Sequence, residues 1–232
     1  TDLDSPLEQA DLGSIKAMIT PDLGSAAMSH AYSSIFADRT SHFRHHFAAA
    51  IDASPDFTDG DNCFEVLRGV NFVAAHGGRV RDHRDSLSPN VVDNVDRGLA
   101  YSLADVAEAH LQQSRIARAW LDLFEDIDVV ICPAASSTPF PHDQWSVGEI
   151  DGEAMETYMR WLGITYLPTM ALACGIALPC GLDQAGMPFG IQVLSAPGND
   201  RLVAAVAKAL ESVLQRHDAT RRPLPDLDSL RG

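Results

Sequence analysis

Residues 178–194 read Leu178-Pro-Cys-Gly-Leu-Asp-Gln-Ala-Gly-Met-Pro-Phe-Gly-Ile-Gln-Val-Leu194. Two apolar runs flank a polar turn at Asp183-Gln184-Ala185-Gly186, which is the pattern of a β-hairpin. Side chains alternate faces along a strand, so Phe189, Ile191 and Val193 share one face and Gly190, Gln192 and Leu194 the other. A buried glutamine needs partners for its amide. A neighbouring glycine lets a second backbone approach closely, and Pro188 opens its strand where a missing N–H costs least. One face is therefore expected to be packed core, and the other to leave room for something.

Working outward, short apolar strands alternate with amphipathic helices. Ser14–Thr20 reads as a strand ending in the turn Pro21-Asp22-Leu23-Gly24. Helical spacing of Tyr32, Ile35, Phe36, Phe43, Phe47 and Ile51 predicts one helix over about Ala26–Ala53, stopped by Ser54-Pro55. A second helix is predicted over Asn62–His76, closed by Gly77-Gly78. A charged connection follows over 79–89, then a short helix after Pro89. Ser102 with Asp105 predicts a capping box at the start of a long helix. Val129–Cys132 reads as a buried strand, Ala134–Gln144 as a proline-stiffened loop and Glu153–Tyr166 as helix. After the hairpin, a last helix is expected over Arg201–Arg216. The class is α/β, a mixed β-sheet flanked by helices. Residues 1–13 read as a linker or cut end, 14–216 as one domain and 217–232 as a polar tail.

Bulk chemistry narrows the function. The 232 residues carry a net charge of −15, from 32 acids against 17 bases, so nucleic acid is not an expected partner. No apolar run is long enough to span a bilayer, so no membrane is expected either. No secretory leader opens the chain, and Thr1 in place of Met reads as a cut or processed end; the expected location is cytoplasmic. Cys63, Cys132, Cys174 and Cys180 lack metal-ligand spacing and read as free thiols in apolar surroundings. His42, His45 and His46 stand at helical spacing; a polar helix face and a metal site both fit, the former on composition alone. No spacing singles out a Ser-His-Asp triad among the nine histidines. No metal and no cofactor is expected.

The ordered motifs resemble those of the amidase signature family. LPCG, a turn and GMPFGIQVL resemble that family's "PCG…GLPVGLQ". FEDIDVVICPAASSTPFP, residues 124–141, resembles "F..YDLLLTPT.P..PFP". SIKAMITPDLG resembles the strand and turn opening the second half of these enzymes, and RDSLSPNVVDNVDRGLAYSLADVAEA their helical middle. The resemblance runs from about Ile15 to Leu214. It departs at Leu172-Ala173-Cys174-Gly175, where relatives read glycine-cysteine-proline-alanine, and at Ala177, where they carry serine.

The resemblance implies amide hydrolysis by a serine, a relay serine in a cis peptide and a lysine base, with backbone N–H groups of a glycine- and serine-rich loop holding the oxyanion. General chemistry asks the same: a base within hydrogen-bond reach of the nucleophile, and donors preorganised for the oxyanion. No such loop is present, Ser136-Ser137 being the nearest imitation, and the two lysines are Lys16 in the first strand and Lys208 in the last helix. The resemblance therefore makes this chain the C-terminal half of an amidase. It supplies sheet and a pocket wall, its partner is the N-terminal catalytic half, and it is inactive alone. No catalytic residue is assigned. Ser137, Thr138 and His142 are candidate substrate contacts, because their loop follows a buried strand. Met170 and Ala171 are candidates from the segment before the PCG strand. Gln192 is a candidate contact or a structural amide. The substrate would be a small-molecule amide, and an open half-sheet would favour a homo-oligomer or other partner. The competing reading is a non-catalytic binding module derived from an amidase; a histidine-dependent metallohydrolase is a remote third.

Overall fold

The computed structural model describes residues 5–224. Its elements in chain order are β1 (Lys16–Ile19), α1 (His30–Ser41), β2 (Ala49–Asp52), α2 (Gly60–His83), α3 (Pro89–Ala100), α4 (Leu103–Leu123), β3 (Val129–Pro133), β4 (Glu149–Ile150), β5 (Glu153–Ala154), α5 (Gly163–Met170), β6 (Cys174–Leu182), β7 (Pro188–Ser195) and α6 (Asp200–Leu214). Five strands form one sheet in the order β2-β1-β3-β7-β6. β1 is parallel to β2 and β3, while β7 runs antiparallel to β3 and β6. The sheet is mixed, as expected, and the hairpin forms its antiparallel half.

Strand alternation sorts the core into two layers. Ala17, Ile19, Val129, Ile131, Phe189, Ile191 and Val193 face α1 and α6, meeting Phe36, Phe43 and Leu210. Met18, Val130, Cys132 and Leu194 face α2, α4 and α5, meeting Trp120, Ile164 and Leu167. β3, buried at every residue, is the central strand and has no polar side chain to place. α3 packs on the outside of α2, where Gly69 and Gly98 let the backbones touch: a Cβ on Gly98 would lie 2.3 Å from the Gly69 carbonyl oxygen.

Three segments differ from the sequence expectation. The helix predicted over 26–53 ends at Ser41, and Ala49–Asp52 is the edge strand β2. Its alanines carry no strand signature, so the parallel pairing with β1 decides the outcome. α2 continues through Gly77-Gly78 to His83, where packing on α3 and α4 outweighs a glycine cost of about 1 kcal/mol each. The helix predicted over 153–166 is replaced by the small hairpin β4–β5 and by α5. The capping box at Ser102 forms in full, with Asp105 Oδ2 accepting from the Ser102 N–H at 2.8 Å.

Candidate functional site

β1 and β3 are parallel neighbours whose following chains part company. After β1 the chain turns to α1 on one face of the sheet, and after β3 it leads to α5 on the other. A crevice opens at the carboxyl ends of such strands, and α/β proteins bind ligands there. Buried hydroxyl groups gather at this end of the two strands. Thr20, fully buried, shares a hydrogen bond of 2.9 Å with Ser54 Oγ and accepts one from the Leu23 N–H. The Ser29 N–H donates to the Ser136 carbonyl at 2.9 Å, tying the two diverging loops together. The hydroxyls of Ser25 and Ser136 are buried without a partner. Leaving a buried hydroxyl without a partner costs about 1–3 kcal/mol. Gly163, at the start of α5, stands against Ala26, where a Cβ would approach to 3.1 Å.

The expected site residues fall into three groups. Ser137, Thr138 and His142 lie together on the loop that leaves the crevice after β3, with Thr138 and His142 exposed. Met170 and Ala171 end α5, just before the amino end of β6 and so at the opposite end of the sheet. They are core residues there, Met170 Sδ lying 4.0 Å from Cys63 Sγ. Gln192 faces α5 from the middle of β7, and its amide donates to two carbonyls, Pro133 at 3.1 Å and Ile164 at 2.8 Å. Pro168 explains the second bond. It stands four residues after Ile164 inside α5 and has no N–H to give that carbonyl. Gln192 supplies the missing donor, and the PCG hairpin is thereby bolted to the helix behind it. The glutamine and Pro168 were both visible in the sequence; their partnership was not, because it joins positions on two elements.

A second polar seam holds the loop before α5. Asp61, Glu65 and Arg68, spaced along one face of α2, engage that loop in turn. Asp61 accepts the Tyr166 hydroxyl at 2.5 Å and pairs with Arg160 at 2.8 Å. The Thr157 hydroxyl donates to Glu65 at 2.7 Å, and Arg68 donates to Asn94 and Tyr158. Burial, followed by the bond to Asp61, pushes the Tyr166 hydroxyl above its ordinary range. Burial also pushes Cys180 up to about 12 and Cys132 higher still, so neither is a nucleophile near neutrality.

The hydroxyls gathered at the strand ends hold no base. Among the described residues, no serine hydroxyl is hydrogen-bonded to a lysine or histidine side chain. Lys16 stands at the amino end of β1, away from the crevice, and Lys208 Nζ donates to the Leu7 carbonyl at 2.6 Å. His30 pairs with Asp151 at the rim at 3.0 Å, its side chain 92% exposed. The His42 ring lies against His217 and the His45 ring against His46, both tilted, and no group of three potential metal ligands converges among the described residues.

A three-layer α/β/α body on a mixed sheet is a fold shared with solved amidase structures. A bacterial aryl acylamidase of the amidase signature family superposes with a TM-score of 0.78 at 17% identity, over 93% of this chain and 48% of that one. A second amidase structure superposes with a TM-score of 0.77 at 20% identity, over 89% and 47%. In sequence, one of the subunits of glutamyl-tRNA(Gln) amidotransferase from Cyanothece sp. is 35% identical over 95 residues, 41% of this chain and 18% of that protein. A fatty acid amide hydrolase from Medicago truncatula is 27% identical over 160 residues, 62% of this chain and 25% of that protein. The family model named Amidase matches residues 80–204, more than half of the chain. The chain belongs to the amidase signature family. It spans about half the length of the structures it matches and a quarter or less of these curated relatives.

Proposed function

We propose that this chain is the C-terminal portion of an amide hydrolase and forms one wall of its acyl pocket at the β1/β3 crevice. The nucleophilic serine, relay serine and lysine belong, on this reading, to polypeptide outside these 232 residues. The observation that carries it is the crevice itself: a family fold with orphan hydroxyls at the strand ends, and both lysines placed elsewhere. Ser137, Thr138 and His142 contact the amide substrate from the β3 loop. Gln192 acts as a positioning residue, fixing α5 against the sheet. Met170 and Ala171, as part of the core behind α5, set the shape of the wall rather than touching the substrate. The catalytic half docks on an open edge of the sheet; β2 and β6 each have one strand neighbour among the described residues. The folding unit is built on 14–216, with Leu12 and Thr220 packed against it from either side, and the cytoplasm is its proposed location; no described helix is long and apolar enough to cross a membrane.

The test is reconstitution. The chain alone is expected to hydrolyse neither aromatic nor aliphatic amides and to remain unlabelled by a fluorophosphonate serine probe. Mixed with an amidase N-terminal half carrying the serine and lysine, it is expected to restore turnover. Stoichiometric labelling of the isolated chain would end this reading. Tight association without turnover would favour a binding module, which the same open edges would serve.

A further inference from the structure

Among the described residues the sheet has two outer strands, β2 and β6, and they are finished differently. β2 is four residues long and ends in Asp52. Arg44 lies across it, donating to the Ala50 carbonyl at 3.1 Å and to the Asp52 carboxylate at 2.7 Å. Short length and charged side chains are how an outer strand turns away a further one. β6 has nine residues, Cys174–Leu182, and none is charged.

The ladder fixes which backbone groups β6 turns outward. The Ala134 N–H donates to the Gly190 carbonyl, so the backbone of Gly190 points at β3. Gly190 stands opposite Pro179, Gln192 opposite Ala177 and Leu194 opposite Gly175. These are therefore the non-hydrogen-bonded pairs between β6 and β7, and the backbone of Gly175, Ala177 and Pro179 points away from β7. Pro179 stands where its missing N–H breaks no bond within the chain. The Gly175 and Ala177 N–H groups, with the carbonyls of all three, face the open side.

Apolar surface gathers at both ends of the same hairpin. Leu172, just before β6, is 73% exposed and held at φ +54°, a left-handed conformation that a bulky residue adopts at a cost. Leu182 and Met187 are exposed at the other end. Leu178 and Ile176 pack into the layer beneath α6, while Gly175 and Ala177 face the opposite way and are exposed.

The course of the chain points to the same side. Residues 5–10 run along α6: Arg201 donates to the Ser5 and Pro6 carbonyls, Lys208 to Leu7 at 2.6 Å, and the Ala10 N–H to Ala205 at 3.1 Å. α6 packs on β6 and β7, across the sheet from β2. Polypeptide preceding these residues in a whole amidase thus enters on the β6 side.

We propose that the catalytic half joins at β6, adding a strand along Gly175–Pro179 and covering Leu172 and Met187. This rests on the reading of the chain as part of an amidase and adds which edge is used. Strand addition draws its affinity from main-chain hydrogen bonds, and β6 presents those groups where β2 is closed off by Arg44.

The test is hydrogen exchange of the full chain in dilute solution, alone and with the amidase N-terminal half used for reconstitution. Alone, the Gly175 and Ala177 amides should exchange much faster than those of Ile176 and Leu178, which face β7. With the half bound, they should slow by about tenfold or more while 49–52 stay unchanged. Ala177→Pro removes an outward donor and should weaken association by about tenfold with circular dichroism unchanged, whereas Ile51→Lys on β2 should leave it intact. Slow exchange at Gly175 and Ala177 in the free chain, protection confined to 49–52, or association weakened by Ile51→Lys and not by Ala177→Pro would each overturn the choice of edge and leave the amidase reading standing. No association at all would overturn both.

Discussion

The two faces of the central sheet are built on different principles. Beneath α1 and α6 the contact is aliphatic and aromatic throughout, with Phe43, Leu210, Val206 and Ile191 fully buried. Beneath α2, α4 and α5 apolar packing shares the space with directed bonds, Gln192 to two carbonyls and Tyr166 to Asp61, and with the Asp61–Arg160 ion pair. Hydrophobic burial is non-directional and supplies most of the stability. Hydrogen bonds add little net energy but fix position, and they are costly to leave half made. The bonded face is the one that carries the chain emerging from the crevice. The first face secures the fold; the second sets where α5 and its preceding loop lie.

That division can be attacked from either side. The largest loss is expected on the apolar face: Phe43→Ala removes a fully buried ring and should cost about 3–5 kcal/mol in chemical unfolding. On the bonded face, Trp120→Phe should cost less than about 2 kcal/mol, because the indole N–H is buried with no partner and its loss removes a penalty along with the volume. Gly98→Ala tests the α2–α3 contact; a Cβ 2.3 Å from a backbone oxygen must push the helices apart, at about 1–3 kcal/mol.

The sharpest test is a cycle. Gln192→Leu strands the Pro133 and Ile164 carbonyls and should cost about 1–3 kcal/mol. Pro168→Ala gives Ile164 an ordinary helical donor, so Gln192→Leu should cost less in that background. Equal costs in both backgrounds would show that the amide does not stand in for the proline's missing donor.

The smallest effect is in pH dependence. The Tyr166 hydroxyl is held above its ordinary value of 10.0, first by burial and then by Asp61. A raised acid favours the folded state while protonated, so its contribution is fully present below about pH 10 and fades as pH rises beyond it. Tyr166→Phe should flatten the alkaline end of the stability profile and leave neutral pH nearly unchanged, apart from the lost bond. In parallel, Cys132 and Cys180 should resist alkylation at about pH 8 until the chain unfolds, with the partly exposed Cys174 reacting first.

Much of the fold was legible because local signals agreed with tertiary ones. Ser102 and Asp105 announced α4, and the alternation of Phe189, Ile191 and Val193 placed that face of β7 in the core; the other face, expected to leave room, is packed on α5 through Gln192 and Leu194. β2 was not legible, because Ala49-Ala50-Ile51 follows residues whose spacing is helical and only pairing with β1 makes it a strand. α5 was hidden by Pro168, which argues against helix in any local reading and is tolerated through a glutamine 24 residues later. Of the crevice, Ser136 and Ser137 could be named from the strand-then-loop pattern. Thr20, Ser25 and Ser54 could not, since nothing in sequence marks two turns about 30 residues apart as neighbours.

β6 has a further consequence for handling the molecule. Nine residues long, it offers Gly175 and Ala177 to solvent along an edge with no lysine or glutamate to discourage a visitor. A strand so plainly surfaced recruits copies of itself as readily as an intended neighbour. In concentrated solution the purified chain should therefore self-associate, and the single change Ala177→Lys should return it to the monomer.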